Sequence, residues 1–403
     1  MLPQRSLAGR LCVAGCVLGL LAAPPAALGI SEQEQRARID FETRRLEQQI
    51  ANSDELYADP ELDAYLQQIL EQLFPERPAE LRVRTYRNPD FNAFAVATGG
   101  IYFHTGALLR LTDEAQLASV LGHEGTHVTA DHMFRSIRAA RQVSAVANIG
   151  AVAAASAGYP GGLVQLAGYS SMMGFSREHE READRGGFDR MVQAGYDARA
   201  GAEAFAQLER ELLARHIAQP PFFFASHPQV RERVQTLGEF ATAGPPEGRR
   251  EAARYRAATL RARLDALGQL HRGGDGKVLV FLLADEHLLD TLPPEARYYL
   301  AEGYRLRAEK ARRAKRDRRG TAEIEAQQMQ DAARALEEYQ RTLELAPDFA
   351  PTYQALAMHH YRQGDRSQAL ALLRRFVELS PDPRQSGYAR QYIETLSREL
   401  EQP

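Results

Sequence analysis

Leu62, Tyr65, Leu66, Ile69, Leu70 and Leu73 recur at steps of three and four, which puts them on one stripe of a helix starting at the Asp59–Pro60 pair. Residues 31–52 are poorer in apolar positions. Ser31 and Glu34 nevertheless have capping-box spacing, so a polar helix is predicted there. LRVRTYR (81–87) alternates like a strand, and FNAFAVATGGIYFHTGALL (91–109) reads as strand, Gly-Gly turn, strand and the beginning of a helix. A further helix is expected from Thr112 to Asp131, and SREHEREADRGGFDRMVQAGYD (176–197) predicts a charged amphipathic one. Residues 142–176 between them carry no charge. Two readings stay open for that stretch: a buried helical hairpin, or a mobile cover over a cleft that touches lipid or an unfolded client.

TAGPPEG (242–248) breaks the pattern and separates a first domain, 30–241, from a second, 249–403. The second domain repeats. ALEEYQRTLELAP from Ala335 aligns with ALALLRRFVELSP from Ala369 at an offset of 34, and Pro347 matches Pro381. That period, with a closing proline, is the tetratricopeptide signature, whose stacked helix pairs form a peptide-binding groove. Leu300, Ala301 and Tyr304 fit an earlier first helix, but about 22 extra residues separate them from Ala335. RLRAEKARRAKRDRR (305–319) lies in this insertion. It reads as a solvated helix, or as a peripheral contact for anionic lipid or an acidic partner.

Composition narrows the class. The 403 residues are 44% hydrophobic and 26% charged, which is globular, and the net charge of −3 gives no field favouring nucleic acid. MLPQRSLAGR, the uncharged run 11–23 and the small residues Ala27 and Gly29 form the pattern of a signal peptide over residues 1–29. The run is shorter than the roughly 20 residues that span a bilayer core. A lipid anchor at Cys16, within VAGC, is the alternative. Cys12 and Cys16 are the only cysteines, so a chain cleaved near Gly29 has none. That excludes a cysteine-based metal site and fits a periplasm.

The chemistry lies in LGHEGTHVTADH (121–132). His123 and His127 are one turn apart on a helix, so their imidazoles can share one divalent ion, and Glu124 beside them can deprotonate a water. A third ligand is needed, and the 176–197 helix offers Glu178, His179, Glu180 and Glu182. Glu180 and Asp184 share a face, which suits a ligand and a residue that orients a ligand imidazole. His104 reads as a surface strand residue with no metal role. His132, His179, His216, His271, His287, His359 and His360 have the same reading.

HEGTH, then EREAD, then SHPQVRER (226–233) resemble the HExxH, ExxxD and HPxxxxR pattern of the peptidase family that includes the CAAX-prenyl protease and HtpX. The signal sequence and the repeats resemble that family's soluble periplasmic branch. The resemblance implies a mainly α (α+β) fold: a gluzincin-type metallopeptidase domain with a small β-sheet, followed by an α-helical tetratricopeptide-repeat domain. It implies one zinc ion on His123, His127 and Glu180, with Glu124 as general base and Asp184 orienting a ligand. Arg233 would lie near the site, and His227 would take a regulatory fourth position on the metal. IYFHTG (101–106) would be the edge strand beside the zinc helix, with Ile101, Tyr102, Phe103 and His104 receiving substrate as an added strand. The implied function is an exported endopeptidase of outer-membrane protein quality control. Its substrates would be misfolded or stalled proteins, and its repeats would dock to the assembly machinery. The other reading is a chaperone or adaptor with a normally latent metal site.

Overall fold

The computed structural model describes residues 31–142, 175–215, 230–245, 247–316, 322–380 and 382–401. The signal segment with Cys12 and Cys16, the uncharged stretch over 143–174, His216 and His227 lie outside the described residues. Two compact units divide between Ala266 and Leu267.

In the first unit, α1 (Glu32–Ala51) carries the predicted capping box: the Glu34 N–H donates to the Ser31 hydroxyl, and the Ser31 N–H donates to the Glu34 carboxylate. Its short apolar stripe does two jobs. Ile50 packs with Tyr86, Phe94, Val96 and Tyr102 on one face of the sheet, and Ile39 packs with Met133, Phe134 and Ile137. α2 (Pro60–Leu73), capped by Asp59, buries the six predicted apolar residues in the main core.

Three strands form one sheet: β1 (Arg82–Tyr86), β2 (Ala93–Ala95) and β3 (Gly100–His104), in the order β1-β3-β2. β1 runs parallel to β3, and β2 pairs antiparallel to it through the turn at Gly99, whose φ is +86°. A Cβ at Gly99 would lie 1.9 Å from the Glu80 carbonyl oxygen, so the turn requires glycine. The order corrects one expectation. Ile101, Tyr102, Phe103 and His104 form the central strand, hydrogen-bonded on both sides, and cannot take an added strand. All five residues of β3 are buried. A continuous apolar run of this kind marks a strand covered on both faces, whereas an edge strand usually alternates. His104 is therefore no surface residue: it is 2% exposed, packed beside the Tyr86 and Phe94 rings.

α3 (Thr105–Arg110) leads to α4 (Glu114–Thr129), the helix of the HEGTH motif, and to α5 (His132–Gln142). α6 (Arg177–Gln193), α7 (Ala200–Arg215) and α8 (Val230–Ala243) follow. α9 (Ala252–Gly273) contains the division between the units.

The second unit is helical: α10 (Gly276–Leu283), α11 (Glu286–Leu289), α12 (Ala296–Arg316), α13 (Ala322–Leu345), α14 (Ala350–Gln363), α15 (Arg366–Leu379) and α16 (Pro383–Glu401). The insertion of residues before Ala335 lengthens a hairpin. Arg297 pairs with Glu338, Tyr339 donates to Glu302, and Arg307 pairs with Asp331, so α12 and α13 run antiparallel along each other. Added residues in such a hairpin extend both arms, to 21 and 24 residues, against 14 in each of α14 and α15. Among the described residues no helix is long and apolar enough to cross a membrane.

Candidate metal centre

α4 is buried from Glu114 to His127, so each polar side chain on it needs a partner from a neighbouring element. Asp113 caps it by accepting the Gln116 N–H. Glu114 is gripped by the Tyr65 and Tyr196 hydroxyls, both at 2.8 Å, and by Arg254 at 3.1 Å. These contacts set the start of the helix. Its second half is set by α6, which crosses where two glycines meet: a Cβ at Gly187 would lie 2.6 Å from the His123 N.

That approach brings Glu180 to the histidines. His123 Nε2 and His127 Nε2 are 3.0 Å apart, and the Glu180 carboxylate oxygens lie 3.7 and 3.4 Å from them. Ligands about 2.0–2.1 Å from a tetrahedral ion lie about 3.3 Å from one another, so the three groups fit one metal. Among the described residues these three form the one cluster that could hold an ion. The remaining candidates from sequence are elsewhere. Glu178 is exposed, the His179 ring has the Ser136 hydroxyl 3.2 Å from its Nδ1, and Glu182 faces His132 and Arg135.

The other ring nitrogens are spoken for. His123 Nδ1 is 3.0 Å from Asp184 Oδ1. Donation of its N–H to that carboxylate leaves Nε2 with its lone pair on the side of His127 Nε2 and Glu180. Arg233 on α8 holds Asp184 and Glu180 of α6: it is 2.6 Å from Asp184 and 3.4 Å from Glu180, and its guanidinium stacks 4.1 Å over the Phe205 ring. Burial pushes the Asp184 carboxyl up, but the Arg233 charge and His123 outweigh it and hold it below the usual carboxylate range. Burial, reinforced by Arg233, pulls His123 down to about 4, so its imidazole is neutral, the state a metal requires.

His127 has a partner that sequence reasoning passed over. His132 Nδ1 is 2.8 Å from His127 Nδ1, and His132 Nε2 is 3.1 Å from Glu182. A proton on His127 Nδ1 donated to His132 leaves the Nε2 lone pair on the side of His123 Nε2 and Glu180, and His132 then presents its own N–H towards Glu182. Phe175 stacks on His127 at 3.8 Å and His179 on His132 at 4.5 Å. His132 and His179 are thus buried, at 0% and 8% exposure, and burial lowers both pKa values. The available signal was spacing: His132 lies five residues beyond His127, just past the helix end. Glu124 is fully buried on α4 next to His123.

A cavity of about 220 Å³ opens beside His127. Ala95–Ala97, Phe175, and Arg36, Ile39 and Asp40 of α1 line it. β2 is the edge strand on this side. Asn92 and Val96 bond inward to β3, so alternation turns the Ala93 and Ala95 main-chain groups outward.

Comparison with known proteins agrees with this geometry. Residues 60–241 match the family model described as Peptidase family M48. A putative beta-barrel assembly-enhancing protease of Vibrio cholerae is 31% identical over 49% of this chain and 43% of its own length. The beta-barrel assembly-enhancing protease of Yersinia pestis is 28% identical over 68% of this chain and 54% of its own. The mitochondrial metalloendopeptidase OMA1 of Schizosaccharomyces pombe is 30% identical over 38% of this chain and 44% of its own. The chain therefore spans about half the length of these relatives. Two histidines, an acid and their orienting partners thus assemble inside the segment, residues 60–241, that matches the model of peptidase family M48.

Proposed function

We propose that the chain is an exported zinc endopeptidase that removes misfolded or stalled proteins in outer-membrane quality control. The observation that carries this reading is the convergence of His123, His127 and Glu180 beside a cavity bordered by the outer side of an edge strand. These three residues would hold the metal, and two imidazoles with one carboxylate suit zinc. When bound, the ion would supply Lewis acidity towards the scissile carbonyl and the attacking water.

The chain's own residues do the rest. Glu124 takes the proton of the attacking water and passes it to the leaving amine. Asp184 and His132 fix the tautomers of the two histidines, and Arg233 keeps Asp184 ionised. Substrate adds as a strand along the outer side of β2, in place of the central strand β3, so main-chain hydrogen bonds supply affinity with little sequence selectivity. The helix pairs after residue 249 act as tetratricopeptide repeats that dock the enzyme to its partners. The names of the bacterial relatives, which concern β-barrel assembly, support the outer-membrane setting.

The test is Glu124→Gln. It should keep zinc and lose proteolysis of denatured casein by at least about 10²-fold, the scale of a lost general base. Wild-type proteolysis by a zinc-loaded Glu124→Gln chain would end this assignment. Full rescue of a deletion strain by the same variant would favour the adaptor reading.

A further inference from the structure

The cavity beside His127 has a wall that the family-matched segment does not supply. α1 precedes residue 60, yet its Arg36, Ile39 and Asp40 line the same cavity as Ala95–Ala97 and His127. The helix is held there by Ile39, which is buried against Met133 and Phe134 of α5. Its two charges at the cavity differ in state. Arg36 is matched: it pairs with Asp131 at 3.1 Å and with Glu32 at 3.2 Å, and it sits 4.0 Å over the Phe134 ring. Asp40, one turn on and half-buried, makes no hydrogen bond or ion pair with any described residue. Among the described residues the cavity thus holds one satisfied ion pair and one unmatched carboxylate, next to the apolar side chains of Ile39 and Val96.

Resting on the cleft reading above, we infer that Asp40 is a specificity residue, which selects substrate segments carrying Lys or Arg at the position beside Ala95–Ala97. A long basic side chain answers both features of the cavity. Its methylenes can lie along Ile39 and Val96 while its head group meets Asp40. An acidic side chain would instead bring a third carboxylate to a space where the described lining already holds Asp40 and Asp131 against Arg36. A strand added along β2 gains its affinity from the main chain, so this contact sets which segments are favoured, not whether they bind. α1 becomes part of the substrate site, and the preference belongs to this chain rather than to the shared domain.

The experiment uses zinc-loaded Glu124→Gln, which should bind without cutting, and fluorescein-labelled extended peptides that differ only in a central Lys, Gln or Glu. Anisotropy should rank them Lys, Gln, Glu, with about tenfold between the ends, the scale of one partly buried charge contact. Adding Asp40→Asn should remove most of the spread, and Asp40→Arg should reverse the order, while thermal melts stay unchanged because Asp40 makes no hydrogen bond or ion pair among the described residues. Peptides that bind alike in all three backgrounds overturn the assignment to Asp40 and leave the protease reading standing. Asp40-dependent ranking of peptides that the wild-type chain never cuts supports the subsite and sinks the protease reading. Absence of binding in every background overturns both.

Discussion

Gly187→Ala tests the geometry of the metal centre most directly. A Cβ there would meet only backbone: the His123 N at 2.6 Å, the Gly122 carbonyl carbon at 2.9 Å and the His123 Cα at 3.0 Å. Ordinary contact begins at 3.4 Å, so α6 must retreat from α4 by about 0.8 Å, since no flexible side chain can yield. Gly187 lies one turn beyond Asp184 and two beyond Glu180, so both acids move with it. Asp184 Oδ1, now 3.0 Å from His123 Nδ1, would pass beyond the roughly 3.5 Å limit of a hydrogen bond. Overpacking of this size costs about 1–3 kcal/mol of stability. A displacement near 1 Å in a catalytic constellation costs on the order of 10²-fold in rate. The assay is zinc affinity by chelator competition, with thermal unfolding and casein proteolysis measured on the same preparations. Gly238→Ala is the control: nothing lies within 4 Å of its Cβ, so affinity should hold and the helix should gain up to about 1 kcal/mol. If Gly187→Ala binds zinc within twofold of wild type and melts at the same temperature, the close approach of the helices does not set the site.

His132→Phe keeps a ring against His127 but removes the Nδ1 partner, so zinc affinity should fall about 10- to 100-fold with far-UV circular dichroism unchanged; unchanged affinity would mean that His132 does not set the tautomer. Glu211→Gln leaves the Arg110 guanidinium, 2% exposed, with one amide oxygen and the Pro89 and Gly106 carbonyls in place of its carboxylate partner. Urea titration should show a loss near the lower end of about 3–5 kcal/mol, and a loss below about 1 kcal/mol would refute the buried pair as a structural tie. His104, pushed down to about 3 by burial, stays neutral in the fold while the unfolded chain takes up a proton near pH 6.5. The unfolded state therefore binds more protons as pH falls, and the stability present above pH 6.5 drains away towards pH 3. Between pH 7 and 5 the wild type should lose about 2 kcal/mol more than His104→Phe in urea titrations, and parallel losses would refute the assignment.

Short-range patterning made much of the molecule legible from the chain alone. The stripe from Leu62 to Leu73, the caps at Ser31 and Asp59, and the one-turn spacing of His123 and His127 depend only on the 3.6-residue period and on nearby donors. Each is satisfied within a few residues, whatever packs against it later. The tertiary structure decided matters that needed a distant partner. Glu178, Glu180 and Glu182 are chemically alike, and the crossing at Gly122 and Gly187 aims Glu180 at both histidines. β3 became central because β1 claimed its second side, and this made β2 an edge strand among the described residues. His132 reached His127 only because the chain turns at Asp131, whose φ is +56°. The physical reason is common to all three. A side chain's local period says which face it occupies, but the element that comes to cover that face is chosen by packing across residues far apart in sequence.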